Sequence, residues 1–346
     1  MNFIRKHHKA VFIGGLVLIL LCTLAYWQRQ STLSSSTATK LKDEPRKGEA
    51  VVSTFYYDQL TRKEAEAYDL MKGRLDNMEG GVVEFPDAMS GPEYLRVTTA
   101  LEDEGYNYFY GFYDIPMTED DVYVKYKNTD LTTVKEKKIT KAILFLSCAK
   151  GINEAGDYDK DGTVKNLDEI EAGLSVNADD KLEDIAKLQN ETEDILSGIM
   201  EKLPADYGEK KTVDYFLKWL DENMSVAVGI GEEALDFSSM EDVFNGAYLY
   251  NNLSAVTENK ATSLGYAKIL SELCSRAGME SHIVLGVWGK SSMNQEGYVY
   301  CAVEMNGQMI YVDASAAKSG DLGGQQYLNS QEAKNHLKFV DYFEYE

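Results

Sequence analysis

The sequence predicts an α+β protein, in which a helix packs on an antiparallel sheet behind one N-terminal membrane-spanning helix. Three observations predict this class. Residues 10–27 form an uncharged apolar run, and a later helix starting near Thr262 carries apolar residues at i, i+4 spacing. Three strands follow that helix, and the last two are joined by Asn306 and Gly307, a pair typical of a tight hairpin.

The apolar run is predicted to be a retained membrane anchor. As a helix, residues 10–27 extend about 27 Å, close to the hydrocarbon thickness of a bilayer. Tyr26 and Trp27 end the run, where aromatic rings favour the interface. A cleaved signal peptide is the alternative, but its apolar core is shorter and small residues precede the cut. Because the flank 1–9 is basic, it is expected to stay cytoplasmic, which places the rest of the chain outside the cell membrane.

A change in composition follows the anchor. Residues 28–50 are polar and rich in Ser and Thr, which predicts a flexible linker. Residues 51–346 carry 27 Lys and Arg against 54 Asp and Glu. Such an acidic surface repels phosphates, so nucleic acid is excluded as a partner, whereas cations and basic partners are compatible with it.

The remaining chain divides into predicted segments of different character. Residues 51–145 are interpreted as an N-terminal α+β subdomain, in which Thr61 and Glu64 form a helix capping box. Residues 146–178 form an insert, and residues 179–340 form the main domain before a short tail, 341–346. Within the first subdomain, VYVKYK at 122–127 alternates with period two, which indicates a strand.

The insert contains a candidate calcium loop at residues 156–174. A hard cation needs several oxygens converging on one point, and a glycine allows the sharp turn between them. The predicted ligands have the spacing of an EF-hand-like loop and are Asp157, Asp159, Asp161, Thr163 and Asp168. The last position holds Asp rather than the usual bidentate Glu. An acidic turn between two helices is the alternative, and both interpretations stay open, with calcium as the one cofactor implied.

The hairpin fixes which side chains share a face of the sheet. A two-residue loop pairs Met305 with Gln308, and strand alternation then places Tyr298, Tyr300 and Asp313 on one face. The N-terminus of the preceding helix is expected to pack against that face.

Three motifs occur here in a distinctive order. Residues 263–267 read SLGYA, residues 298–301 read YVYC and residues 313–315 read DAS. This order resembles the transglutaminase-like core, a papain-like fold, in which Cys-x-Gly-Tyr-Ala opens a helix, a His lies on the first hairpin strand and Asp-x-Thr ends the second. The resemblance implies a bacterial surface protein, with Ser263, Tyr298 and Asp313 at the three catalytic positions.

Two of those three positions depart from the family pattern. Ser263 replaces the cysteine and Tyr298 replaces the histidine, and only Asp313 matches. A serine hydroxyl without a base is a poor nucleophile, and a tyrosine with its ordinary pKa of about 10 is not a base at neutral pH. The catalytic triad is therefore predicted to be degenerate.

Other thiols and imidazoles are few. The chain beyond the linker has three cysteines, too few for a disulfide framework, and only two histidines, His282 and His336. Cys274 falls in the apolar ladder of the helix, so it is expected to be a buried hydrophobe. Cys301 is expected to point away from Tyr298 because neighbouring strand residues alternate.

The sequence therefore predicts a membrane-anchored, extracytoplasmic transglutaminase-like domain that binds a protein, peptide or glycan partner without catalysis. Two alternatives stay open. One is an enzyme with altered chemistry, based on Ser263 or a displaced histidine. The other is a surface adhesion module stabilised by calcium, in which the acidic loop matters more than the cleft.

Overall fold

The structure is a computed structural model, and it describes ten stretches of the chain. They are residues 40–77, 81–103, 111–118, 135–148, 152–153, 179–227, 250–288, 296–315, 327–339 and 343–345. The predicted anchor 10–27, the predicted strand 122–127 and the candidate calcium loop 156–174 lie outside these stretches. Within them, no helix is both long enough and apolar enough to cross a membrane.

The first group of elements, here called the N-terminal unit, is a small sheet covered by two helices. The helices are α1 (Arg62–Asp76) and α2 (Gly91–Asp103). The strands are β1 (Gly81–Met89), β2 (Gly111–Thr118), β3 (Ile139–Cys148) and β4 (Ile152–Asn153). β3 lies between β1 and β2 and also pairs with β4, and all these pairs are antiparallel.

The helices of this unit are placed by a cap and by a shared apolar core. The capping box predicted at Thr61 and Glu64 is present, since each side chain accepts a hydrogen bond from the backbone N–H of the other. Met71 of α1 and Val97 of α2 are fully buried and pack in one cluster with Ile139 of β3. The amphipathic helices therefore cover one side of the sheet.

The second group of elements, here called the core unit, contains helices on a five-stranded sheet. Its helices are α3 (Asp179–Glu201), α4 (Glu209–Asn223), α5 (Ala255–Glu258), α6 (Ser263–Arg276) and α7 (Ser330–His336). Its strands are β5 (Ser225–Val226), β6 (Lys260–Ala261), β7 (Ser281–Trp288), β8 (Glu296–Met305), β9 (Gln308–Val312), β10 (Tyr327–Asn329) and β11 (Leu337–Phe339).

The large sheet has the strand order β10-β9-β8-β7-β11, and every neighbouring pair is antiparallel. β5 and β6 form a separate parallel pair. Helices packed on antiparallel sheets confirm the predicted α+β class. The predicted hairpin register is also confirmed, because Met305 pairs with Gln308 across Asn306 (φ 55°) and Gly307 (φ 68°).

Helix α6 is the centre of the core unit. It packs against β7, β8 and α4, and its buried face includes Ile269, Leu270 and Leu273. The apolar stripe of α4 is buried in the same cluster, as its spacing predicts. The buried residues of that stripe are Val213, Phe216, Leu217 and Leu220. At the C-terminal end of α6, Arg276 makes two hydrogen bonds of 2.6 Å to the Glu193 carboxylate of α3.

The two faces of the large sheet are covered by different parts of the chain. Val299, Cys301 and Val303 lie in the cluster that contains α6. Tyr300 and Tyr311 lie in a second cluster on the opposite face, together with Val284, Ala302, Leu328 and Ala333. The N-terminal unit meets the core unit on this side of β7, where the Tyr56 hydroxyl donates to the Ile283 carbonyl.

Residues 40–53, here called the strap, differ from the predicted flexible linker. The strap is hydrogen-bonded to the core unit near both of its ends. Lys42 is bonded to Asn306, and Val51 is bonded to Ser275. A polar segment is predicted to be a linker because it has few apolar side chains to bury. This segment is instead held by hydrogen bonds and ion pairs to residues that are far away in the sequence. The described part of the predicted linker 28–50 is therefore docked.

Candidate functional site

The start of α6, where the SLGYA motif begins, is built by a cap and a close backbone contact. Thr262 is the N-cap, and its hydroxyl accepts from the Gly265 N–H at 3.3 Å. The Thr262 N–H in turn donates to the Tyr250 carbonyl at 3.0 Å. A Cβ on Gly265 would lie 2.1 Å from that carbonyl oxygen. The glycine of the SLGYA motif is therefore required by the approach of the Tyr250 backbone.

Ser263 occupies the first helical position of α6. Its side chain is half-buried, and its hydroxyl has no hydrogen-bond partner among the residues that the structure describes. A helix N-terminus stabilises an anion there, but an unassisted serine hydroxyl does not ionise near neutral pH.

The three motif positions lie at the same end of the sheet. The C-terminal half of α6 is near the hairpin end, since Ser271 contacts Ser281 at 3.0 Å and Glu304 N–H donates to Glu280. The N-terminus of α6 therefore points to the opposite end, where β8 begins and β9 ends. Tyr298 is on this part of β8, paired with Gly286, and its side chain lies outside the described part of the chain.

Asp313 follows β9 and forms a tight polar turn. Its side chain is 1% exposed, and its Oδ1 accepts from the Ser315 N–H at 3.0 Å and from the Ser315 hydroxyl at 3.1 Å. Burial raises the pKa of the Tyr300 hydroxyl, and the nearby Asp313 charge raises it further. Tyr300 and Asp313 are thus neighbours, as the hairpin register predicts, whereas no pattern in the sequence predicted the contact between Asp313 and Ser315.

The packing of α6 differs from the expectation that it would meet the face of Tyr300 and Asp313. The buried side of α6 lies on the other face, with Val299 and Cys301. The reason is alternation along β8, because Val299, Cys301 and Val303 offer a continuous apolar row to the helix. Asp313 therefore shares an end of the sheet with Ser263, while the body of α6 is on the opposite face from Tyr300.

The Asp313 turn allows a graded test of its contribution to stability. Ser315→Ala removes one hydroxyl donor and is expected to lower the free energy of unfolding by about 1 kcal/mol. Asp313→Ala removes both hydrogen bonds and leaves the Ser315 N–H unpaired in a buried turn, so a loss of about 2–3 kcal/mol is expected. Urea denaturation measures both values, and equal losses in the two variants would contradict this role of Asp313.

The described cysteines lie in the core. Cys274 and Cys301 are both 0% exposed, which confirms the burial predicted for Cys274. Burial raises the pKa of both thiols, so neither is poised as a thiolate. Cys148 ends β3, and its side chain lies outside the described part.

The structure describes the side chain of one of the two histidines that follow the linker. His282 is 1% exposed, its ring stacks on Phe55 with centroids 3.9 Å apart, and burial lowers its pKa to about 3. His336 ends α7, and its side chain lies outside the described residues. In the described part of the chain, no imidazole and no thiol stands beside Ser263.

The junction of the two units holds a buried acid that the sequence pattern did not single out. Asp103, at the end of α2, is 1% exposed, and neither carboxylate oxygen has a hydrogen-bond partner in the described part of the chain. Burial raises its pKa well above the ordinary value, the charge of Glu102 raises it further, and Lys268 of α6 opposes this. Burial without a hydrogen-bond partner therefore favours the protonated form of Asp103 over the charged form.

The predicted calcium ligands are not tested by the structure. Asp157, Asp159, Asp161, Thr163 and Asp168 lie outside the described residues. Within the described ranges there is no group of three or more His, Cys, Asp or Glu side chains that could hold a metal ion.

Known proteins resemble this chain only distantly. No family model matches the sequence, and no curated protein matches it. Among solved structures, a candidate cysteine protease from Cytophaga hutchinsonii is 13% identical, with a TM-score of 0.28 over 43% of this chain and 46% of that chain. A structure described as a TGase is 12% identical, with a TM-score of 0.32 over 57% of this chain and 49% of that chain.

The match spans about half the length of each of these two structures. Similarity at this level does not decide the family or the activity. The resemblance to the transglutaminase-like core therefore stays a prediction, which rests on the order of motifs between Thr262 and Asp313.

Proposed function

We propose that this chain is a membrane-anchored, extracytoplasmic transglutaminase-like module that binds a protein, peptide or glycan partner and does not carry out thiol chemistry. One observation supports the proposal above the others. Ser263 stands at the helix N-terminus where the family has its nucleophile, and its hydroxyl has no base as a partner among the described residues.

The surroundings of Ser263 fit this interpretation. The thiols of Cys274 and Cys301 are buried on the apolar side of the sheet, and their raised pKa values disfavour the nucleophilic thiolate. The His282 ring is held between aromatic side chains on the other side of β7. A nucleophile and base must lie within hydrogen-bond reach for covalent catalysis, and these groups occupy separate layers of the core unit.

Short-range contacts hold the backbone around the site in place. Asp313, Thr262 and Gly265 keep the local geometry of the motif through buried hydrogen bonds and a close backbone contact. The proposed anchor at residues 10–27 would keep the core unit close to a membrane surface, and the acidic surface favours basic or neutral partners over anionic lipid or nucleic acid.

An activity assay on the full chain in detergent tests the proposal. We expect no transamidation of glutamine peptides by primary amines and no peptidase activity above the level of the Ser263→Ala variant. Activity that disappears in Ser263→Ala would contradict the proposal and favour an enzyme with altered chemistry. Activity that survives in Ser263→Ala but disappears in Cys274→Ala would also contradict it, by showing a displaced thiol nucleophile.

A calcium titration of the same preparation separates the proposal from an adhesion module. The binding module is expected to keep its Tm when calcium is added. A rise in Tm that disappears when Asp157→Ala and Asp161→Ala are combined would instead favour a calcium-stabilised surface module.

A further inference from the structure

The strap holds one end of the core unit through paired polar contacts. The Lys42 backbone exchanges hydrogen bonds of 2.7 and 3.0 Å with the Asn306 side chain of the β8–β9 hairpin. The Asp43 carboxylate accepts from the N–H groups of Gly208 at 3.3 Å and Lys211 at 2.9 Å, and it pairs with the Lys211 ammonium at 3.0 Å. Asp43 therefore caps the N-terminus of α4 from a distant part of the sequence.

The second half of the strap continues along the same end. The Lys47 ammonium lies 3.1 Å from the Glu304 carboxylate, near the end of β8. Val51 exchanges two hydrogen bonds with Ser275, near the C-terminus of α6, at 3.0 and 2.6 Å. Contacts to a hairpin and two helix ends, made by one short segment, fix the strap in a single position.

Two glycines show how closely the strap approaches. A Cβ on Gly208 would lie 2.4 Å from the Glu44 carbonyl oxygen, although the backbone there (φ −82°) suits any residue. A Cβ on Gly278 would lie 2.6 Å from the Glu49 carbonyl oxygen. The core unit therefore lacks side chains where the strap backbone passes.

All of these contacts are at the hairpin end of the sheet, and the candidate site is at the other end. Asp313 follows the five residues of β9, which places it about 17 Å from the hairpin. Ser263 begins α6, and about 18 Å of this helix separates it from the strap contact at Ser275.

We propose that the strap joins the tether of the membrane anchor to the hairpin end of the core unit, so that this end lies nearest the bilayer and the candidate site is directed away from it. The chain enters the strap beside Asn306, so the membrane-proximal segment leaves from the hairpin end. The partner of the site is therefore a macromolecule of the surrounding medium rather than a lipid headgroup. This inference rests on the anchor and the binding role given under the proposed function.

Energy transfer to labelled lipid tests the orientation in vesicles that contain the full chain. A dye is attached to a cysteine introduced by Gln308→Cys at the hairpin or by Ser263→Cys at the site. Cys22→Ser and Cys148→Ser remove other reactive thiols, while Cys274 and Cys301 are buried. We expect higher transfer from position 308 than from position 263, because position 308 is nearer the lipid.

Gly208→Ala is expected to abolish the difference between the two positions, because its methyl group displaces the strap and lengthens the tether. Asp43→Ala is expected to reduce the difference without altering the backbone of α4. The control is Gly73→Ala in α1, where a Cβ meets nothing within 4 Å, and the difference is expected to persist. Equal transfer from both positions with an intact strap, or a difference that survives Gly208→Ala, would overturn the inference.

The outcomes distinguish this inference from the proposed function. A chain that fails to associate with vesicles overturns both, since both need the anchor. Higher transfer from position 308 in a protein that also has transamidase activity would support the orientation and contradict the non-catalytic role. Equal transfer from both positions, in a protein without transamidase activity, would contradict the orientation and leave the non-catalytic role supported.

Discussion

Gly265→Ala is expected to lower the free energy of unfolding by about 3–4 kcal/mol, which is among the largest losses that one added methyl group produces. The new Cβ would lie 2.1 Å from the Tyr250 carbonyl oxygen and 3.0 Å from the Ala261 Cβ. Neither neighbour is the flexible end of a long side chain. The Tyr250 backbone has to move, and the hydrogen bonds that Thr262 makes to it are lost. Urea denaturation followed by circular dichroism measures the loss.

The matched control is Gly198→Ala, in the interior of α3. A Cβ at that position meets nothing within 4 Å, so the substitution is expected to stabilise the protein by about 0.5–1 kcal/mol through the helix propensity of alanine. If both variants changed stability by the same amount, the close contact at Gly265 would not be a constraint on the fold.

His282→Phe is expected to make the protein more stable than the wild type at pH 4.5, by about 2–3 kcal/mol. Burial lowers the pKa of His282 from 6.5 to about 3, so the folded state holds the ring neutral. The stability associated with the neutral ring is fully present above pH 6.5 and is lost as the pH falls from 6.5 toward 3. Phenylalanine keeps the stacking on Phe55 and does not titrate.

The measurement is the difference in unfolding free energy between the two proteins at pH 7 and at pH 4.5. Carboxyl groups with raised pKa values, such as Asp103 and Asp114 (about 7), act in the opposite direction as the pH falls. Their effect is common to both proteins and cancels in the difference. Parallel pH profiles for the wild type and His282→Phe would contradict the assignment of the neutral buried ring.

Sequence patterns predicted the elements whose defining contacts lie within a few residues of one another. The Asn306-Gly307 pair needs a positive φ at both positions, which defines the loop and therefore the pairing of Met305 with Gln308. The capping box at Thr61 and the apolar stripe of α4 were predictable for the same reason, because their partners are three or four residues away.

Contacts between distant residues were not predictable. The strap has the composition of a linker, and its binding depends on Gly208 and Asn306, which lie far along the chain. Periodicity showed that Cys301 and Tyr300 occupy opposite faces of β8 but not which face receives α6. At the candidate site, Ser263 and Asp313 were identified from motif order, whereas the contact between Asp313 and Ser315 required coordinates.

The borders of the large sheet have a consequence for association between molecules of this protein. The outermost strands, β10 and β11, have only three residues each, and α7 joins them across one face of the sheet. They pair with residues 310–312 of β9 and with residues 286–288 of β7, which would otherwise be templates for strand addition by a neighbouring molecule. One short stretch, residues 327–339, thus pairs with both borders of the sheet, and its removal by a protease is expected to expose unpaired strand residues at both borders at once.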